Sequence, residues 1–138
     1  YLVLEIKSTQ KSQERSLLLA DSIVAMVHRL KAQGWVEYIS FNYGVLQRIR
    51  QLDKGAKISY LEGDRSVKDI SKDQLSGIDF YHYCYQQNPQ LIKEAHDLGL
   101  TTNIWTVNSE EDLMKYYHSA IDYITTDEPE QLLYIHQK

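Results

Sequence analysis

The feature of this sequence that most restricts its fold is a repeat of rhythm rather than of letters. Short apolar or β-branched runs return along the chain: "YLVLEI" at the start, "WVEYISF" from Trp35, "AKISYL" from Ala56, "IDFYHY" from Ile78, "TTNIWTV" from Thr101 and "IDYITT" from Ile121. After a first long interval they come roughly every 21 to 23 residues, room for a strand, a turn, a short helix and a second turn. The stretches between them have helical period. From Gln13 to Gln33, the residues Leu17, Ala20, Ile23, Val24, Val27 and Leu30 share one face, and Gly34 is read as the stop. Asn88 with Pro89 reads as the cap and first turn of another helix, with Leu91, Ile92, Ala95 and Leu98 as its buried stripe. Ser109 and Asp112 have the spacing of a capping box, and Pro129 opens a last helix. Six βα units are predicted, with parallel strands and right-handed crossovers.

Such units build either an open doubly wound sheet or a barrel. A doubly wound nucleotide fold normally carries a glycine-rich turn after its first strand, and "EIKSTQKSQE" has no glycine. There is no G-x-x-x-x-G-K-S/T run and no G-x-S-x-G elbow either. A barrel is the better expectation, because barrels set functional residues singly at the C-terminal ends of their strands. The balance of 43% hydrophobic and 25% charged residues over 138 positions is that of one globular domain spanning 1–138. A net charge of -4 with interleaved signs offers no basic stripe for nucleic acid. One cysteine, Cys84, forms neither an internal disulfide nor a zinc site, and no apolar stretch approaches a membrane span. The compartment is left open, cytoplasmic or at the cell envelope.

Within this frame the first strand poses a question. Side chains alternate, so Leu2, Leu4 and Ile6 share one face while Val3, Glu5 and Lys7 share the other. In a barrel the apolar face meets the helices, and Glu5 and Lys7 stand on the inner rim of the C-terminal mouth. There a carboxylate can hold a hard divalent cation, and an ammonium can neutralise a phosphate or carboxylate beside it. On an edge strand the same pair would simply be solvated. Trp105, in step with Asn103, gives either a flat pocket wall or a core indole. Asp127 is read as the cap of the last helix, Glu62 and Asp64 as a solvated turn, and His82 as a packed strand histidine. His28, His96, His118 and His136 fall in helices or the tail, away from a mouth.

Taken in order, "LVLEIK", "YISFN", "KISYL", "LIKEAHDLGLTTNIWTVNSEEDL" and "DYITTDEPEQLL" resemble the later portion of the glycerophosphodiester phosphodiesterase family. The resemblance runs from Tyr1 to the final helix. It implies a (β/α)8 TIM barrel that hydrolyses glycerophosphodiesters to glycerol 3-phosphate and an alcohol with a divalent cation, Mg or Ca. By it, Glu5 matches the metal-binding glutamate of the E-x-K strand and Lys7 the lysine near the substrate phosphate. Trp105 matches an aromatic lining the substrate pocket, and Phe41 supplies another apolar wall. No H-R-G occurs in the 138 residues, and aligned on Glu5 the family's H-R-G strand, E-x-D metal pair and H-D segment would all fall before Tyr1; the E-x-D and H-D letters that do occur, Glu62–Asp64, Glu110–Asp112 and His96–Asp97, stand elsewhere in the pattern. The six strands therefore match the third to eighth of an incomplete α/β barrel whose first two units are missing.

The expectations that follow are chemical. No catalytic histidine lies in this chain, the cation site has lost most of its ligands, and the chain alone is expected to be inactive. Two open strand edges call for the missing N-terminal part of the barrel or for a self-associated copy. The alternatives are a non-catalytic βα-repeat assembly or binding module, and another phosphate-binding barrel enzyme.

Overall fold

A computed structural model describes residues 1–9 and 11–137. Six strands form one sheet: β1 (Leu2–Glu5), β2 (Val36–Ser40), β3 (Lys57–Tyr60), β4 (Gly77–Tyr81), β5 (Thr101–Trp105) and β6 (Tyr123–Ile124). Every neighbouring pair is parallel, and the spatial order is the order in sequence. That winding belongs to a barrel, since a doubly wound sheet reverses direction at a switch point. Among the described residues β6 does not pair with β1. The sheet is thus an incomplete TIM-like barrel with two open edges, as the missing units require.

The crossovers carry α1 (Gln13–Arg29), α2 (Tyr43–Leu52), α3 (Val67–Lys72), α4 (His82–Gln87), α5 (Leu91–Asp97) and α6 (Glu110–Tyr117), and α7 (Pro129–His136) closes the chain. Capping side chains fix where four of them begin. Ser12, Asn42, Ser66 and Ser109 each accept the backbone N–H three residues on, satisfying a donor that the helix itself leaves orphaned. Ser109 also donates its hydroxyl to the Asp112 carboxylate at 2.9 Å, so the expected pair meets side chain to side chain, beside the cap bond from the Asp112 N–H.

The sheet's outer face is the core. Val36, Tyr38, Ile58, Ile78, Phe80 and Ile104 are buried there against Val24, Leu46, Ile49, Ile70, Ala95 and Leu113 from the helices. Burial of each large apolar side chain contributes about 1.5–3 kcal/mol, so this layer carries most of the stability. The inner face differs: Val3 is 51% exposed, because two strands' worth of barrel does not cover it. Gly77 marks the tightest point of that face. A Cβ there would stand 2.7 Å from Ser59 Oγ and closer still to Thr101 Oγ1, so only glycine lets the neighbouring strands approach.

Four boundary expectations are corrected. The first helix ends at Arg29, and Lys31 (φ 55°), not Gly34, takes the left-handed position beyond it. The next predicted start, at Asn88, moves to Leu91; Asn88 instead accepts the Gln90 N–H in a local turn. β4 stops at Tyr81, so His82 opens α4 instead of closing a strand. Asp127 does not cap α7: its carboxylate takes the Asn108 amide at 2.8 Å, and Glu128 stands at the cap position with no side-chain bond to the helix's backbone N–H groups.

At the opposite end from the strand C-termini, one device recurs. His28, late in α1, meets Asp53 at 2.8 Å, and His96, late in α5, meets Asp122 at 2.8 Å, each acid lying just before a strand. Burial works against ionisation of both acids, yet their hydrogen bonds outweigh it and hold each below the usual carboxylate range. These histidines tie helix ends to the sheet, in line with their exclusion from the mouth.

Candidate active site

The first strand settles as alternation requires. Ile6 is buried, its N–H bonded to the Ile39 carbonyl at 2.9 Å and its own carbonyl held by Ser40 Oγ at 2.7 Å. The same two bonds turn Glu5 and Lys7 onto the inner face. Lys7 Nζ lies 3.8 Å from Glu5 Oε2, and its side chain is 80% exposed against 34% for Glu5. The ammonium is therefore free to meet an anion at little desolvation cost.

Glu5 pairs with Ile39 at the end of β1, and Phe41 follows just past the end of the neighbouring strand β2. Trp105 ends β5, and its indole N–H donates to the Asp79 carbonyl at 2.8 Å, which fixes the ring's orientation. The Phe41 and Trp105 rings meet edge-on with centroids 5.7 Å apart, although two strands lie between them in the sheet. Curvature of the half-barrel brings them together. The Tyr81 ring, on the neighbouring strand β4, also packs against Trp105, with centroids 5.0 Å apart. All four residues singled out in the sequence thus lie at or just past the C-terminal ends of β1, β2 and β5. Tyr81 was legible only as one of a late cluster of tyrosines.

Below this aromatic layer lies the residue that sequence reasoning missed. Asp79 is only 3% exposed on the inner face, and its Oδ1 has no hydrogen-bond partner among the described residues. Burial pushes its carboxyl up to about 7; Asn103 hydrogen bonding pulls the other way, and the charges of Glu37 and Glu5 push further up. The available signal was a lone acid in the apolar run "IDFYHY", in step with Tyr81. Glu37, also on this face, accepts a hydrogen bond from Ser59 Oγ.

The donor set bears on a metal. Glu5 is a half-open carboxylate at the rim, which suits one ligand position of a hard cation. Among the described residues no group of three or more His, Cys, Asp or Glu could hold an ion. Two concavities flank the mouth. One, of about 360 Å³, is lined by Phe41, Leu61, Glu62, Asp64, Tyr81 and Trp105 among others. A larger groove of about 910 Å³ lies on the helix-bearing side between α3 and α4–α5, and none of Glu5, Lys7, Phe41 or Trp105 lines it. No described helix is long and apolar enough to cross a membrane.

A parallel half-barrel with a carboxylate, an ammonium and aromatic walls at its C-terminal mouth defines a TIM-barrel-type site. Residues 2–131 match the model of the glycerophosphoryl diester phosphodiesterase family, and the chain belongs to that family. A glycerophosphodiester phosphodiesterase from Parabacteroides distasonis superposes with a TM-score of 0.92 at 31% identity, over 98% of this chain and 57% of that one. A phosphodiesterase from Oleispira antarctica, in complex with the product sn-glycerol-3-phosphate, shares the fold with a TM-score of 0.71 at 20% identity, over 86% of this chain and 50% of its own. An uncharacterized protein of Mycoplasma genitalium is 31% identical over 120 residues, 82% of this chain and 47% of that protein. The chain thus spans about half the length of the relatives it matches.

Proposed function

We propose that this chain supplies the later part of the mouth of a metal-dependent glycerophosphodiester phosphodiesterase, with Glu5 as one ligand of a divalent cation and Lys7 facing the substrate phosphate. The observation that carries the reading is the Glu5–Lys7 pair at the end of β1, with Phe41 just past the end of the neighbouring β2 and folded against Trp105. The family match and the product held by the Oleispira relative support it.

Hydrolysis of a phosphodiester needs an activated water, a proton for the leaving alkoxide and neutralised phosphate charge. A bound divalent cation would supply charge neutralisation and lower the pKa of water. Of these tasks the chain's own residues cover only the last: Lys7 offers a solvated point charge, and Phe41 and Trp105 give apolar walls that restrict where the alcohol moieties lie. The proton-transferring histidines and the other metal ligands are assigned to two further βα units carrying H-R-G and E-x-D. Those units would also cover the open β1 and β6 edges, where Val3 and Tyr123 stand half exposed.

The expected result is that the chain alone, with Mg or Ca, leaves glycerophosphoglycerol intact by phosphorus NMR. The same chain produced together with those two units releases glycerol 3-phosphate in a chelator-sensitive reaction. Metal-dependent turnover by the chain alone, or an intact diester in the completed sample, would overturn the proposal.

A further inference from the structure

The register of β5 with β6 ends at Ile104↔Ile124, at the residue before Trp105. Trp105 is anchored on its other side, by its register with Tyr81 and by the indole bond to the Asp79 carbonyl at 2.8 Å. Toward β6 the join is continued by other means. The Thr125 N–H donates to the Ile104 carbonyl at 2.8 Å, and the buried Val107 gives its own N–H to the Thr125 carbonyl at 2.9 Å. The next residue, Asn108, then closes on the turn before α7. Its Nδ2 donates to Asp127 Oδ2 at 2.8 Å, and its Oδ1 accepts the Asp127 N–H at 2.9 Å and the Thr126 hydroxyl at 3.3 Å. Thr126 Oγ1 in turn accepts the Glu128 N–H at 2.9 Å.

Helix capping does not account for these bonds: Ser109, not Asn108, caps α6, and Glu128 stands at the cap position of α7. The two side chains are spent on each other across 19 positions of sequence. One partner is a carboxylate, so the Nδ2 bond is charge-assisted, and two bonds between one amide and one residue fix orientation as well as distance. We infer that Asn108 and Asp127 are positioning residues of the site: as a latch they act through Val107 on Trp105, and keep its ring against Phe41 and Tyr81 as a fixed wall for the alcohol part of the substrate. Trp105 is such a wall only on the phosphodiesterase reading, on which the inference therefore rests. Both latch side chains are exposed, so their bonds add little to global stability. What they supply is order at the mouth. Without them a bound diester has to restrain the loop itself, which weakens binding, while Glu5 and Lys7 on β1 keep their places.

The test compares Asn108→Ala with the exchange of Asn108→Asp plus Asp127→Asn; both keep the net charge of the parent. The exchange preserves the latch, because the side-chain donor and acceptor simply trade places. The first readout is the Trp105 indole N–H signal of the 138-residue chain in nitrogen-edited NMR. Asn108→Ala is expected to shift it and to speed its exchange with water about fivefold or more, with the 68% exposed Trp35 unmoved and the exchange variant like the parent. Lys93→Ala, which breaks the surface pair with Asp97, should move neither signal. The second readout is kinetic, in the completed barrel with glycerophosphoglycerol. Asn108→Ala is expected to raise KM about fivefold with kcat within about twofold, and the exchange variant to return KM to within about twofold of the parent. An unmoved Trp105 signal or an unchanged KM in Asn108→Ala would overturn the inference, as would an exchange variant as defective as Asn108→Ala. If the completed parent barrel hydrolyses the diester in any of those cases, the enzymatic reading stands and only the latch falls. A completed parent barrel that leaves the diester intact removes the phosphodiesterase reading, and the positioning role with it.

Discussion

Glu5→Gln in the completed barrel is expected to lower metal-dependent hydrolysis about a hundredfold or more, with the thermal transition unmoved. The substitution keeps the size of the side chain and removes only its charge. Among the described residues that charge has one weak partner, Lys7 at 3.8 Å, so the fold does not depend on it. What it loses is a hard anionic ligand. Excess metal should recover part of the rate, a readout that a merely structural residue would not give. Steady-state rates for the two proteins across a metal titration check this, and a Glu5→Gln protein within twofold of its parent at limiting metal would contradict it.

The second large effect concerns stability. Asp79 is buried with an oxygen that has no partner among the described residues, and burial pushes its carboxyl up to about 7, far above the ordinary aspartate value. The sign follows from proton counting. Between about pH 4 and 7 the folded chain keeps the Asp79 proton that the unfolded chain has released, so stability falls as pH rises through that window and levels off above it. Asp79→Asn abolishes this slope. It is expected to match the parent near pH 4 and to exceed it above pH 7 by about 2–4 kcal/mol. Urea unfolding at pH 4.5 and pH 8 makes the comparison, and an Asn variant that is less stable at pH 8 would refute the account.

Much of the architecture was legible because it depends on periodicity. Six parallel strands in sequential order follow from the spacing of the apolar runs, and the absence of a glycine-rich turn after "YLVLEI" pointed away from the doubly wound alternative. Alternation alone put Glu5 and Lys7 on the inner rim. The errors lie where local signals compete. Asp127 has the composition of a cap, but Asn108, distant in sequence, takes its carboxylate. Gly34 looked like a helix stop, yet Lys31 accepts the left-handed conformation first. The Phe41–Trp105 contact was beyond sequence reasoning for another reason: it arises from the curvature of the whole sheet. Asp79 was hidden by its apolar neighbours, since a strand buried on both faces has no pattern to mark the inward side.

On the proposed reading the reaction class comes from the family, and Glu5 and Lys7 are where this chain would anchor the chemistry. The most direct measurement is therefore the position of a bound cation. In the completed barrel, substoichiometric Mn²⁺ should broaden the amide signals of Glu5, Ile6 and Lys7 first, with Phe41 next and the His96–Asp122 end of the barrel untouched. Broadening centred on that far end, or on the Glu62–Asp64 turn with Glu5 unaffected, would contradict the placement of the reactive centre at the first strand.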